Sequence, residues 1–342
     1  MIKEKYHELL QIMEPFFALE GYQKSRKRGL FQKTVSGKII KIRMLLRSVR
    51  RSGELGEIGA FAEVEYPELE KICAALKGET YKKGVNFFSE DIALFCGEKH
   101  FAAFHFTCGS NMEYVSAVIR TMLTESVFPR LRDYEEDEKI LDKFGRYDTP
   151  WRQQAIAQRR DNIDFYIRWS ALCLLNGYLR EARLILKNER THIRPNDGLP
   201  VLKERMDAWC AGEKQKPSCI MLAGSFLKIN PQKEEIFKAL LRLDGEWTYY
   251  LILEDSVSGD YLQIAGGSGE YTLEIRLYQG QEYIHYRAET MCEDTWERRI
   301  LYGVGHMTMQ TNQVLSYAQV HEITCYYLAA HKLHSAYRWI IV

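Results

Sequence analysis

Apolar side chains recur every three or four residues from Ile2 to Leu19, at Tyr6, Leu9, Leu10, Met13, Phe16 and Phe17. That is the spacing of one helical face, and Gly21 closes the run. The period then changes to two. Residues 29–34, 38–49 and 58–65 predict strands, and in the second of these Ile40, Ile42, Met44 and Leu46 alternate with Lys41, Arg43, Leu45 and Arg47. One face is apolar and the other mostly basic, which places Lys41, Arg43 and Arg47 together on an outer, solvated face. Pro67 suits the first turn of a helix that closes near Gly78. A hairpin is expected over 92–96 and 101–107, followed by a long helix from about Met112 that turns Val115, Val118, Ile119 and Leu123 inward.

The pattern loosens through an acidic run at 133–138 and the stretch 145–150, so a domain boundary is expected near residue 148. Residues 151–212 read as helical, through Ile156, Ile163 and Ile167. Within them ALCLLNGYLREARLILKNE resembles one tetratricopeptide-type helical hairpin, with Gly177 at the tight crossing and Ala182 at close packing. A solenoid needs about three stacked repeats and only this one is found, so its expected role is a spacer or docking element. GEKQKPS at 212–218 is a polar linker and INPQ at 229–232 a turn. A short helix over 234–243 follows, then strands at 247–253, 261–265, 271–278, 283–288 and 302–310, a helix over 317–330, and an apolar end at 337–342 tied into the core. The predicted architecture is α+β throughout. It comprises an N-terminal domain (1–148) of one helix, an antiparallel meander and a long closing helix, a helical connector (149–216), and a C-terminal antiparallel α+β domain (230–342).

Composition supports a folded globular chain: of 342 residues, 46% are hydrophobic and 27% charged. The formal net charge of +1 hides an asymmetry. Residues 21–53 carry no acid and eleven bases: Lys24, Arg26, Lys27, Arg28, Lys33, Lys38, Lys41, Arg43, Arg47, Arg50 and Arg51. Such a tract attracts a polyanion or an acidic protein. Its expected internal counterweight is the block Asp133, Glu135, Glu136, Asp137 and Glu138. No apolar run approaches the roughly 20 residues that span a bilayer, and the N-terminus lacks a secretory pattern. The eight cysteines are scattered, without CxxC pairs, which reads as free thiols in a reducing compartment. A cytoplasmic location without membrane association is therefore expected.

Catalytic signatures are weak. Cys96, His100, His105 and Cys108 lie close in sequence, but strand alternation puts His105 on the opposite side from His100 and Cys108, so one zinc ion cannot meet all four. His331 and His334 could share a helix face without a third ligand. AGGSGE at 265–270 precedes a strand, not the helix N-terminus a phosphate loop needs, and reads as a hairpin turn. Glu63 and Glu65 share a strand face, but the following Tyr66 and Pro67 replace the lysine that common nuclease cores use, so a solvated strand face is expected. Neither catalytic residues, nor a metal, nor a cofactor is assigned.

The run FFALEGYQKSRKRGLFQKTVSGKIIKIRMLLRS, with AFAEVEYPELEK after it, resembles the bacterial domain-of-unknown-function family 4304 over about residues 1–145. The likeness centres on the step Gly21-Tyr22-Gln23-Lys24 after the first helix, and implies a fold and a bacterial origin without an activity. YLQIAGGSGEYTLEIRLYQGQEYIHYRAE, with LSYAQVHEITCYYL, looks like small bacterial α+β domains among toxin-immunity proteins. That likeness implies a non-catalytic protein that binds a protein partner, with Tyr261, Tyr271, Tyr278, Tyr283 and Tyr286 as candidate surface. The leading expectation is thus a protein-binding immunity or adaptor protein. The second is a nucleic-acid-associated protein using Arg26, Arg28, Lys41, Arg43 and Arg47 on phosphates, although few aromatics are interleaved for base stacking. A hydrolase or nuclease with a site hidden from sequence comes third.

Overall fold

The amphipathic N-terminal run forms helix α1 (Ile2–Leu19), which buries Tyr6, Leu9, Leu10, Met13 and Phe17. The computed structural model describes residues 1–49, 55–92, 104–145, 162–187, 199–224, 226–280, 282–293, 295–303 and 305–342. They form an α+β fold with antiparallel sheets, divided into two units, Met1–Ile140 and Leu141–Val342. The division falls inside a helix. The boundary expected near residue 148 lies outside the described residues.

In the first unit, strands β1 (Gln23–Lys24), β2 (Leu30–Val35), β3 (Lys38–Val49), β4 (Leu55–Glu65) and β5 (Phe88–Asp91) follow one another across the sheet, and β6 (Phe104–Thr107) pairs with the other end of β4. The alternation of Ile40, Ile42 and Met44 puts all three at zero exposure. Each such side chain contributes about 1.5–3 kcal/mol of burial. Phe17 stacks on Phe31 at 4.1 Å, joining α1 to the sheet. Gly29 lies where Tyr6 Oη donates to the Met44 carbonyl at 2.7 Å. A Cβ there would sit 2.1 Å from that carbonyl oxygen, at φ +69°, so only glycine fits. Of the hairpin expected over 92–96 and 101–107, the described part is Ile92 and β6.

Helix α2 (Pro67–Lys77) starts on Pro67 and ends at Gly78 in the left-handed region, as its sequence predicts. Helix α3 (Met112–Met122) is capped by Asn111, whose side chain accepts from the Glu113 amide at 2.9 Å. A π-helical turn (Leu123–Val127) then leads into α4 (Phe128–Arg132). Pro129 explains the widening, because it has no N–H for the carbonyl four residues back and its ring crowds that position. Helix α5 (Asp137–Gly145) spans the division between the units.

The second unit contains helices α6 (Asn162–Leu175), α7 (Leu179–Lys187) and α8 (Leu199–Cys210). Gly177, at φ +78°, makes the crossing between α6 and α7, and Ala182 is fully buried beneath Ser170, which donates to its carbonyl at 3.3 Å. The helical expectation for 151–161 and 188–198 lies outside the described residues. Residues 212–218 are bound to their surroundings and are not a free linker. Lys216 donates its amide to the Gly177 carbonyl at 2.8 Å, and Gln215 accepts from the Arg180 amide at 2.7 Å. Ser218 donates its hydroxyl to Glu181, a carboxylate with zero exposure.

The C-terminal sheet begins earlier than residue 230. Strands β7 (Cys219–Ala223) and β8 (Phe226–Ile229) precede helix α9 (Lys233–Leu241), and β9 (Tyr250–Asp255), β10 (Tyr261–Gly267), β11 (Glu270–Gln279) and β12 (Glu282–Glu289) form the expected meander. The region read as a single strand at 302–310 belongs to a separate hairpin, β13 (Glu297–Tyr302) and β14 (Gly305–Gln310). After helix α10 (Tyr317–Ala330), β15 (Arg338–Ile341) joins β12, giving the antiparallel order β15-β12-β11-β10-β9-β7-β8. Ile236 and Leu240 of α9 and Val320 and Ile323 of α10 pack with Leu251, Leu253, Leu262, Ile264, Leu273 and Ile275 on one face of this sheet. The AGGSGE segment is the β10–β11 turn, with Ser268 at φ +55° and Gly269 at φ +93°.

Candidate functional site

The basic tract is largely answered from within the first unit. Lys33 pairs with Glu135 at 2.7 Å, and Lys38, almost wholly buried over the Tyr66 ring, pairs with Asp137 at 2.5 Å and donates to the Glu135 carbonyl at 3.1 Å. Asp137 also accepts from Tyr66 Oη at 2.7 Å; burial, and then this hydrogen bond, drive the phenol pKa upward. Lys24 pairs with Glu14 at 2.6 Å. The acidic block therefore serves as counterweight for Lys33 and Lys38.

Lys41 does not stand on a solvated face: it is 8% exposed and ion-paired to Glu65, itself 8% exposed. Arg43 reaches Glu63 at 2.7 Å, and Glu63 is 5% exposed. Lys41 lies opposite Glu63 in the β3–β4 register, so the two cations and two carboxylates interleave across the strands. Burial lowers the Lys41 pKa, with Arg43 acting the same way and Glu63 opposing. Glu63 and Glu65 thus form a charge ladder with Lys41 and Arg43 in place of the expected solvated face. Arg47 falls at a bulge, where the register shifts between Leu46 and Ser48 and the period of two breaks; its side chain lies outside the described residues. Arg26, Lys27 and Arg28 are left on the exposed β1–β2 turn, with Arg28 over the Tyr6 ring at 5.4 Å.

The second unit offers a different arrangement on the sheet face turned away from α9 and α10. Tyr261 on β10, Arg276 on β11 and His285 on β12 stand opposite one another in register; Gln263, Glu274 and Arg287 form the next row, and Tyr278 faces Tyr283. The Arg276 guanidinium carbon lies 4.7 Å from the Tyr261 ring centroid and 4.3 Å from that of Tyr283, with one tyrosine on each flanking strand. Each contact contributes about 0.5–1 kcal/mol when exposed and more when desolvated. Tyr283 is 51% exposed. Tyr278 packs beside it at 5.5 Å between ring centroids.

The other charges on this face are matched. Arg287 donates to Glu274 Oε1 through Nε at 2.9 Å and Nη2 at 2.7 Å, and His285 Nε2 lies 3.1 Å from Glu274 Oε2. Glu254 is paired with Arg180. Arg338 reaches Glu289 at 2.6 Å. Arg276 alone among these bases makes no hydrogen bond or ion pair with the described residues, and its Nε is buried without a partner. Burial lowers the His285 pKa, with Arg276 and Arg287 adding to that and Glu274 opposing. Burial raises the Tyr261 pKa against the pull of Arg276.

Tyr271 does not belong to this face. It is 4% exposed in the core on the opposite side, where its backbone bridges to Leu315. Of the five tyrosines named in the sequence, the fold therefore gathers Tyr261, Tyr278 and Tyr283 on this face, and strand parity puts Tyr271 and also Tyr286, which lies opposite Ile275, on the other. Arg276 itself was missed, although YTLEIRLY carries a signal for it: Glu274, Arg276 and Tyr278 alternate with Leu273, Ile275 and Leu277.

The remaining candidates fall apart or lie elsewhere. Cys96 and His100, and the side chain of His105, lie outside the described residues. Among those described, no group of three or more His, Cys, Asp or Glu side chains is placed to hold a metal ion. His331 and His334 do not share a helical face: α10 ends at Ala330, His331 is its left-handed cap at φ +50°, and His334 packs edge-on to Tyr326 at 4.6 Å. A depression of about 450 Å³ beside β1 and β2 is lined by Glu20, Gln23, Gln32 and Lys33 among others. Lys33 there is already committed to Glu135. In comparison with known proteins, the chain matches no family model and no curated protein.

Proposed function

We propose that this chain is a non-catalytic protein-binding protein of the immunity or adaptor kind, which meets its partner around the exposed Tyr283 on the face of its second sheet turned away from α9 and α10. The observation that carries this reading is Arg276 held between Tyr261 and Tyr283, with Tyr278 alongside. Tyrosine and arginine are enriched where binding energy concentrates, because each combines large contact area with donors in a restricted geometry. Rigid strands already position the side chains, so little ordering is required on association. The likeness of the C-terminal segment to toxin-immunity domains points the same way, and with the first segment's likeness to family 4304 it suggests a bacterial protein. The scattered cysteines suit the cytoplasm, and burial holds the Cys219 thiol pKa up at about 11, away from reactive thiolate. Among the described residues no helix is long and apolar enough to cross a membrane.

The nucleic-acid reading draws on less. Five of the described cations of the tract have carboxylate partners, Lys24, Lys33, Lys38, Lys41 and Arg43. The test of the protein-binding reading is site-specific photocrosslinking in the source cells, with p-benzoylphenylalanine at position 278 or 283 and, as control, at the exposed position 3. A discrete protein adduct from 278 and 283 but not from 3 is expected. Adducts of equal yield from all three positions, or nucleic acid recovered in place of protein, would refute it.

A further inference from the structure

We infer that Arg276 is the anchor for a single carboxylate, an aspartate or glutamate side chain in an acidic segment of the protein partner. This rests on the protein-binding reading and specifies the chemistry it uses. Three observations carry it. Arg276 is the one base of this face without a carboxylate among the described residues, whereas Arg287, Arg338 and Arg180 are matched to Glu274, Glu289 and Glu254. Its Nε is buried with no acceptor, which is costly unless an acceptor arrives. The rings of Tyr261 and Tyr283 flank the guanidinium, leaving its in-plane N–H edge as the route to an acceptor and offering apolar shelves to residues beside the incoming acid.

The same face argues against a polyanion. Glu254 stands in the same cross-strand row as Arg276 and Glu274 in the next, and Asp260 accepts from the Tyr278 amide at 2.6 Å, so a phosphate chain passing over Arg276 would meet three carboxylates. One monovalent, planar carboxylate matches one guanidinium, and the fork of N–H groups can bind it through both oxygens.

The test uses the full-length chain and a displayed library of random 12-residue peptides, with affinities of enriched peptides measured by fluorescence anisotropy. Peptides containing Asp or Glu are expected, with binding weakened about tenfold to a hundredfold by Arg276→Gln, the range of a charge-assisted hydrogen bond. The same loss is expected on unaltered protein when the peptide acid is changed to its amide, which makes the result independent of how Arg276→Gln folds. Enrichment of neutral peptides that lose binding in Tyr283→Ala but not in Arg276→Gln would overturn the carboxylate assignment and leave the face as a binding surface. If no enriched peptide depends on Tyr283, both readings fall. Preference for phosphoserine over glutamate at the critical position would replace the carboxylate with a phosphopeptide.

Discussion

Lys41→Met isolates what the charge ladder contributes. In the folded chain Lys41 and Glu65 are each 8% exposed and in contact, with Glu63, 5% exposed, directly opposite Lys41. Removing the ammonium leaves two buried carboxylates facing one guanidinium, that of Arg43. Breaking a buried pair in this way costs about 3–5 kcal/mol, because the surviving charge keeps its desolvation penalty without compensation. Lys41→Met/Glu65→Leu removes both charges and restores apolar volume, so it should lie within about 1 kcal/mol of the parent and recover about 2–4 kcal/mol of the loss seen in Lys41→Met. Hydrogen exchange of the β3 and β4 amides across a urea series reads the opening of this sheet directly and avoids a single global transition for a two-unit chain. Two results refute the reasoning: a single variant as stable as the parent, or a double variant that has lost the sum of the two single effects.

Gly29→Ala forces a Cβ to within 2.1 Å of the Met44 carbonyl oxygen and 2.4 Å of Tyr6 Oη. Left-handed strain of about 1–2 kcal/mol adds to disruption of the buried tyrosine bond, worth about 1–3 kcal/mol, and the first unit should lose protection from exchange while the second keeps it. His285 titrates below its ordinary value of 6.5. The unfolded chain therefore takes up the proton first, so the stability contributed by neutral His285 is fully present above about pH 6.5 and is lost as pH falls through the folded value. His285→Gln should flatten that part of the pH–stability curve for the second unit, and an unchanged slope would assign the titration to another group.

Periodicity located elements well where one face meets a core. The alternation Ile40, Ile42, Met44 puts β3 at Lys38–Val49, and the α1 and α10 patterns end where the helices end, at Leu19 and Ala330. It failed where no alternation exists. CIMLA is apolar at every position, so β7, flanked on both sides within the sheet, carries no period-two signature, and the charged start of β13, Glu297-Arg298-Arg299, conceals a strand set apart from the main sheet. Parity also cannot report depth. It separates Lys41 from Ile40 but does not say that the Lys41 side is buried too, because Glu63 and Glu65 are supplied by the neighbouring strand β4. The Tyr261–Arg276–Tyr283 contact joins three strands, so register, which sequence alone leaves open, decides it.

The order β15-β12-β11-β10-β9-β7-β8 also bears on how the second sheet is assembled. From β9 to β12 every spatial neighbour is the next strand in the chain, and β7 and β8 form another local hairpin. The slow, entropically demanding closures are confined to two joins: β7 to β9 across α9, and β15 to β12 across the β13–β14 hairpin and α10. The Arg276 clamp lies wholly inside the local part of this topology, on β10, β11 and β12. Its geometry is therefore set by two adjoining hairpins and does not wait for either distant closure.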